Sequence, residues 1–248
     1  MLKEYPADLH IHTCLSPCAH EEMNPVNILN MARLMGTRIV GICDHNSARN
    51  IKAVQDASKG FDIFILSGME VESVEEVHLL CFFEDLNSIL EWQNFVYDHM
   101  PPRKNNPEIF GNQQIVDEAG NVVAEEERML LTSTTLTVEE ISQKVWEMEG
   151  LLIPAHIDKR SFSLWGQLGF IPEGLRLSAV EFSRNISESE VRRKFGFLDR
   201  YTLITSSDAH RLEEMVFQKT FFRLEELNFT EIRWALEGKE GRQVVIRE

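Results

Sequence analysis

The chain has 248 residues, and 40 Asp+Glu against 25 Lys+Arg leave a formal charge of -15. That length fits a single (β/α) barrel, no apolar run approaches the ~18 residues of a membrane span, and the acidic excess argues against broad contacts with long nucleic acid. Four Cys without a secretory-type N-terminus point to a reduced, cytoplasmic setting.

Strands and helices alternate along the chain, which predicts an α/β architecture. Ala7 to His12 reads as a strand. Asn24-Pro25 supplies an N-cap and a first-turn Pro, and Gly36 closes the helix that Ile28, Leu29, Ala32 and Met35 make amphipathic. Arg38 to Cys43, Phe61 to Leu66 and Val77 to Phe83 are β-rich, and a helix is expected over Asn87 to His99. Met100-Pro101-Pro102 then breaks the rhythm, and Asn112 to Glu126 reads as a hairpin around Gly120-Asn121. Thr137-Val138-Glu139-Glu140 has the capping-box pattern, and Gly150 ends its helix. Leu151 to Ala155, Ala179 to Phe182 and Tyr201 to Thr205 are further strands, with a short helix capped near Ser187 between the last two. Thr220 to Leu224 and a helix near Thr230 to Leu236 finish the chain. No linker is visible, so residues 1–248 read as one domain, with an elaborated insertion or lid at 84–150.

The histidines fall at the strand ends of this map. His10 and His12 end the first strand and, two apart, point to one face. His45 follows the second strand, Glu70 the third, and His156 the strand that ends at Ala155; Asp208 and His210 follow the strand over 201–205. In a barrel all these ends face one rim. Imidazole and carboxylate suit Zn²⁺, Mn²⁺ or Fe²⁺, and the donors outnumber what one ion takes, so a polynuclear centre is expected.

The ordered motifs Asp8-Leu9-His10-Ile11-His12-Thr13, Cys43-Asp44-His45-Asn46, Gly68-Met69-Glu70 with His78, Pro154-Ala155-His156 and Ser207-Asp208-Ala209-His210 resemble the PHP (polymerase and histidinol phosphatase) family of metal-dependent phosphoesterases. The resemblance implies a distorted (β/α)7 barrel carrying up to three divalent ions. It places one ion on His10, His12, Glu70 and Asp208, and a second on Glu70, His78 and His156. The third falls to His45, His210 and His20, with Glu21 or Glu22 as substitutes for His20. The implied chemistry is in-line attack on phosphorus by a metal-bound hydroxide, with no Ser or Cys nucleophile. The seven residues from Glu70 to His78 are too few for a helical crossover, so a tight turn is expected there.

Asp44 could orient His45 or a metal-bound water, or act as a turn cap. Lys159, Arg160 and Arg184 are placed to grip a phosphate if the barrel is right, each equally readable as surface charge. Cys14, Cys18 and Cys43 flank the motifs as packing residues, the alternative being a thiolate ligand or an iron–sulfur site. The expected substrate is a small phosphomonoester, a nucleotide or a short oligonucleotide. Two readings from other classes remain: a metal-loaded binding or regulatory protein without turnover, and C–N hydrolysis on a related His-rich barrel.

Overall fold

The computed structural model describes residues 1–216 and 219–247. The elements in order are β1 (Lys3–Ile11), α1 (Pro25–Leu34), β2 (Ile39–Ile42), α2 (Ile51–Ala57), β3 (Phe64–Glu72), β4 (His78–Phe83), α3 (Leu86–Asp98) and α4 (Pro107–Phe110). They continue with β5 (Gln114–Val116), β6 (Val122–Glu125), α5 (Val138–Glu147), β7 (Leu151–Pro154), α6 (Leu164–Leu168), β8 (Val180–Ser183) and α7 (Glu188–Lys194). The last are β9 (Leu203–Ser206), β10 (Thr220–Leu224), α8 (Phe229–Glu237) and β11 (Gln243–Ile246).

The helix starts form for local reasons. The Asn24 side chain accepts from the Asn27 N–H and Pro25 occupies the first turn of α1. Thr137 with Glu140, and Ser187 with Glu190, each close a reciprocal capping box at α5 and α7. Sequence reading missed α2, α4, α6 and β11, all seven residues or shorter.

One curled seven-stranded sheet, a half-barrel in shape, runs β11-β10-β1-β2-β3-β4-β7, while β8 and β9 form a separate parallel pair. Only β1, β2 and β3 are parallel neighbours in the large sheet. β4 is antiparallel to both β3 and β7, and β10 is antiparallel to both β1 and β11. Where the resemblance implied a distorted (β/α)7 barrel, the described residues form a mixed, half-barrel sheet. The physical reason is connection length. Residues 73–77 are all that separate β3 from β4, and a parallel return needs a dozen or more. The tight turn expected between Glu70 and His78 is present.

Two apolar layers sandwich the sheet. One face packs Val40, Ile42, Met69 and Leu79 against Ile28 and Leu29 of α1, Val54 of α2 and Trp92 of α3. The other packs Leu9, Ile39, Leu66, Leu80 and Ile153 against Phe229, Ile232 and Leu236 of α8. Strands buried on both faces cannot alternate polar and apolar, which is why β2 reads as a continuous apolar run. Strand crowding is tightest at Gly41, where an added Cβ would stand 2.4 Å from the Leu9 carbonyl oxygen. Gly41→Ala is expected to cost about 3 kcal/mol through overpacking against backbone that cannot yield, read as a lowered urea midpoint.

The 84–150 segment is seated on the loop after β1 and the loop after β2. Gln114 N–H donates to the Cys14 carbonyl, and Asn50 bridges to Gln114 and Val116. The Asn46 amide donates to the carbonyls of Leu130 and Thr132. These bonds tie the segment to the loops that follow His12 and His45.

Candidate metal centre

The ends of β1, β3 and β4 and the turns after β2, β7 and β9 deliver eight side chains to one place. His10, His12 and Glu70 are at most 1% exposed. Glu70 is the hub. Its Oε1 lies 2.9 Å from His78 Nδ1, 3.4 Å from His10 Nε2 and 3.7 Å from His156 Nε2. Its Oε2 lies 3.1 Å from His45 Nδ1 and 3.4 Å from His12 Nε2. Asp208 Oδ1 stands 3.4 Å from His10 Nε2, 3.6 Å from His12 Nε2 and 3.8 Å from His210 Nδ1.

These contacts aim ligand atoms at shared points rather than at each other. His10 Nε2 and His12 Nε2 face one another at 3.2 Å. Both oxygens of Glu70 and Nδ1 of His156 are buried without a hydrogen bond of good geometry. A buried carboxylate left so is costly unless something else satisfies it, and a cation does. Three donor groups could each hold an ion: His10 with His12 and Asp208, His45 with Glu70 and His78, and His12 with His45 and His210. The donor chemistry fits a divalent metal of the zinc, manganese or iron type.

A surrounding layer fixes the ligands. Glu181 Oε2 accepts from His10 Nδ1 at 3.0 Å and from the His156 N–H at 3.1 Å, which leaves His10 Nε2 facing inward as a donor to metal. Ser16 Oγ bonds His12 Nδ1 at 3.0 Å and donates to Asp44 Oδ1 at 2.7 Å. Asp44 also accepts from the Thr13 N–H and hydroxyl. Asp44 thus reaches the His12 ring through Ser16, whose Oγ also accepts from the His45 N–H at 3.2 Å. Sequence reading missed Glu181. Its signal was available: a single carboxylate in the apolar strand Val180-Glu181-Phe182.

The backbone is strained where it turns ligands inward. His156 has φ +33° and Asp208 has φ +53°, and Asn46, next to His45, has φ +48°. L-residues avoid this region, and such strain concentrates at functional sites.

Charge perturbation follows the packing. Burial pushes the Glu70 carboxyl up, yet the imidazoles of His78, His10 and His45 outweigh it and hold it well below its usual range. Burial works against protonation of His10, but Glu181, Asp208 and Glu70 raise it well above the ordinary imidazole value. Burial, helped by His210 and His45, holds His12 well below that value and so keeps its ring neutral.

The remaining expected residues separate. His20 is not brought into the cluster: its side chain is 48% exposed, and its Nδ1 accepts from the Glu22 N–H at 3.3 Å. Glu21 accepts from the Asn112 amide, and Glu22 stays beside His20. His99 is the C-cap of α3, its ring bonded to the Phe95 carbonyl. Lys159 and Arg160 line a cavity of about 400 Å³ together with His45, Glu70, His78, His156, Phe162, Asp208 and His210. The Lys159 ammonium pairs with Asp208 Oδ2 at 2.6 Å. Arg184 lines a smaller adjoining cavity and donates to the Glu214 carbonyl. A larger cavity, about 510 Å³, lies away from the cluster at the start of β7 and contains none of these ligands.

The four cysteines are free, and only Cys18 is exposed. Burial disfavours its thiolate, but hydrogen bonds to His210 and His45 outweigh that and lower it to about 6. Burial and Asp44 push Cys14 up to about 12, and burial raises Cys43 and Cys81 well above the usual thiol value. In the metal-free protein at pH 7, iodoacetamide is expected to label Cys18 first, with the site read by peptide mass spectrometry.

No known protein-family profile matches the chain. The chain is 23% identical to the uncharacterized protein YqxK of Bacillus subtilis, over 98% of its own length and 65% of YqxK. Among solved structures it is similar to the lesion-specific endonuclease PfuEndoQ of Pyrococcus furiosus, with TM-score 0.76 and 22% identity, covering 98% of this chain and 58% of that one. An endonuclease Q complex with a 27-mer duplex bearing an abasic lesion gives TM-score 0.73 at 22% identity, over 97% of this chain and 58% of that one. A protein of Bifidobacterium adolescentis assigned as a metal-dependent phosphoesterase gives 0.56 at 17% identity, over 85% and 89% of the two chains. The chain therefore spans less than two thirds of the first relatives it matches, and these similarities establish its fold. No helix among the described residues is long and apolar enough to cross a membrane.

Proposed function

We propose that the chain is a metal-dependent hydrolase of phosphate esters, of the PHP type that its motifs resemble. The observation that carries this reading is Glu70, a buried carboxylate without a hydrogen bond, reached by five imidazoles. His10, His12 and Asp208 would hold one ion, and Glu70 with His78 and His156 a second. His45 and His210 anchor a third position. Divalent ions there would supply Lewis acidity toward water and neutralise charge on the phosphoryl oxygens.

The chain's own groups then have definite tasks. Glu181 holds His10 in one tautomer, and the Asp44–Ser16 pair orients His12. Lys159 and Arg160 offer cationic contacts to a phosphate entering the cavity, and Arg184 offers one from the adjoining side. Lys159→Gln is expected to raise KM about tenfold, the value of one charge-assisted hydrogen bond of about 1.5 kcal/mol. Steady-state kinetics checks it.

The cavity of about 400 Å³ and the charge of -15 favour a small phosphomonoester or nucleotide. A second reading, cleavage of short oligonucleotides, is favoured by the fold shared with a lesion-specific endonuclease. The deciding assay supplies Mn²⁺, Zn²⁺ or Fe²⁺ and compares phosphate release from nucleotide monophosphates with shortening of an end-labelled oligonucleotide. The faster reaction identifies the substrate class. If neither occurs with any of the metals, the hydrolase reading fails.

A further inference from the structure

We propose that Phe162 is a stacking platform for a nucleobase, so that the ester presented to the metal centre is a nucleotide and not a base-free phosphomonoester. The inference rests on the hydrolase reading above and names its substrate class.

The first argument is the make-up of the cavity. Its walls are imidazoles, carboxylates, the Lys159 and Arg160 cations and Ser161, and among the described residues that line it Phe162 is the one apolar side chain. Phe162 is nevertheless 40% exposed. Its ring stacks on the His78 imidazole, with centroids 4.7 Å apart and planes 21° from parallel. One face is therefore covered, and the exposed area lies on the opposite face and the ring edge. An aromatic face left open beside cations matches a ligand that is planar at one end and anionic at the other, as a nucleotide is. The volume of about 400 Å³ has room for a base, a sugar and a phosphate together.

The second argument is the backbone. Phe162 has φ +59°, a conformation that glycine takes freely and a bulky L-residue takes at a cost. The turn after β7 holds it there from several sides. The Phe162 carbonyl accepts from the His78 N–H at 2.9 Å. The adjacent Ser163 is fully buried, and its hydroxyl donates to the Lys159 carbonyl and accepts from the Gly166 N–H in the first turn of α6. Asp158 accepts from the Ser183 N–H and hydroxyl, which ties the start of the turn to β8. The ring is thus presented on a fixed turn, and little ordering is left to be done when a base arrives.

Steady-state kinetics on adenosine 5′-monophosphate and ribose 5-phosphate test this, with Mn²⁺, Zn²⁺ or Fe²⁺ supplied, because the two esters share sugar and phosphate and differ in the base. The wild-type chain is expected to prefer the nucleotide in kcat/KM. In Phe162→Ala that preference is expected to fall about tenfold through the KM of the nucleotide, the loss of one base–aromatic stack, and in Phe162→Trp to be kept. Metal content is measured on each preparation. A ring that only shields His78 would lower both reactions alike and leave the preference unmoved. That result, or a wild-type chain without the preference, overturns base stacking and leaves the hydrolase reading standing. Hydrolysis of neither ester by the wild type overturns both.

Discussion

Glu70→Gln is expected to abolish metal loading and hydrolysis together, with activity falling about a hundredfold or more. Perturbing a group that merely supports a ligand already costs about 10–100-fold, and Glu70 is the hub itself. The substitution keeps shape and removes the charge. It also aims an amide NH₂ at imidazole nitrogens that need an anion between them. Metal analysis and turnover are to be measured on the same preparation, with circular dichroism confirming the fold. Unchanged metal content and rate would sink the bridging role. Glu181→Gln is the informative companion, because it disturbs the supports of His10 and His156 without removing the hub carboxylate and should lower affinity by less.

Stripping the metals with a chelator is expected to lower thermal stability by about 8–16 °C. Ligand present at about a thousandfold over Kd stabilises by about 4 kcal/mol. For a chain of this size each kcal/mol shifts Tm by about 2–4 °C. The metal-free centre is left with a buried carboxylate that lacks a hydrogen bond of good geometry and with strained turns at His156 and Asp208. Acid should release the metals in the same way. Burial opposes protonation of His10 and His45. The carboxylates of Glu181 and Glu70 nevertheless raise both imidazoles well above their ordinary value. Protons therefore compete with metal from higher pH than for a free imidazole, and affinity falls steadily as pH drops. Differential scanning fluorimetry with and without chelator, repeated across pH, reads both effects. A Tm that ignores the chelator while metal analysis confirms its removal would overturn the stabilising role.

The charge of -15 gains a different meaning beside this site. Glu70, Asp208 and Glu181 belong to a cluster built to carry cations. Filled, that rim is locally positive while the rest of the surface stays acidic. On the proposed function, that locally positive rim is where a phosphate-bearing substrate meets an otherwise acidic chain.

Much of the site was legible before any fold was known. His10 and His12 share a face because strand side chains alternate, so their joint direction is a property of sequence spacing alone. His45, Glu70, His156, Asp208 and His210 were found by where apolar runs stop. The capping boxes at Thr137 and Ser187 are equally local, and both formed as written. Strand direction was less legible. Alternating β and α segments suggested an α/β architecture without giving strand directions, and only the short 73–77 connection hinted at the antiparallel hairpin that the sheet contains.

Local sequence by itself determined where the imidazoles and carboxylates of the cluster stand relative to the element ends, because periodicity, capping and turn signals act over a few residues. Tertiary structure decided the rest. It turned the His20 ring outward to Glu22, since a loop's direction depends on long-range bonds such as the one from His20 N–H to the His210 carbonyl. It brought Glu181 to His10 across 171 positions of chain and coupled Asp44 to His12 through Ser16. Such contacts have no sequence spacing to betray them. They exist only once a curled sheet has closed distant strand ends around one buried carboxylate.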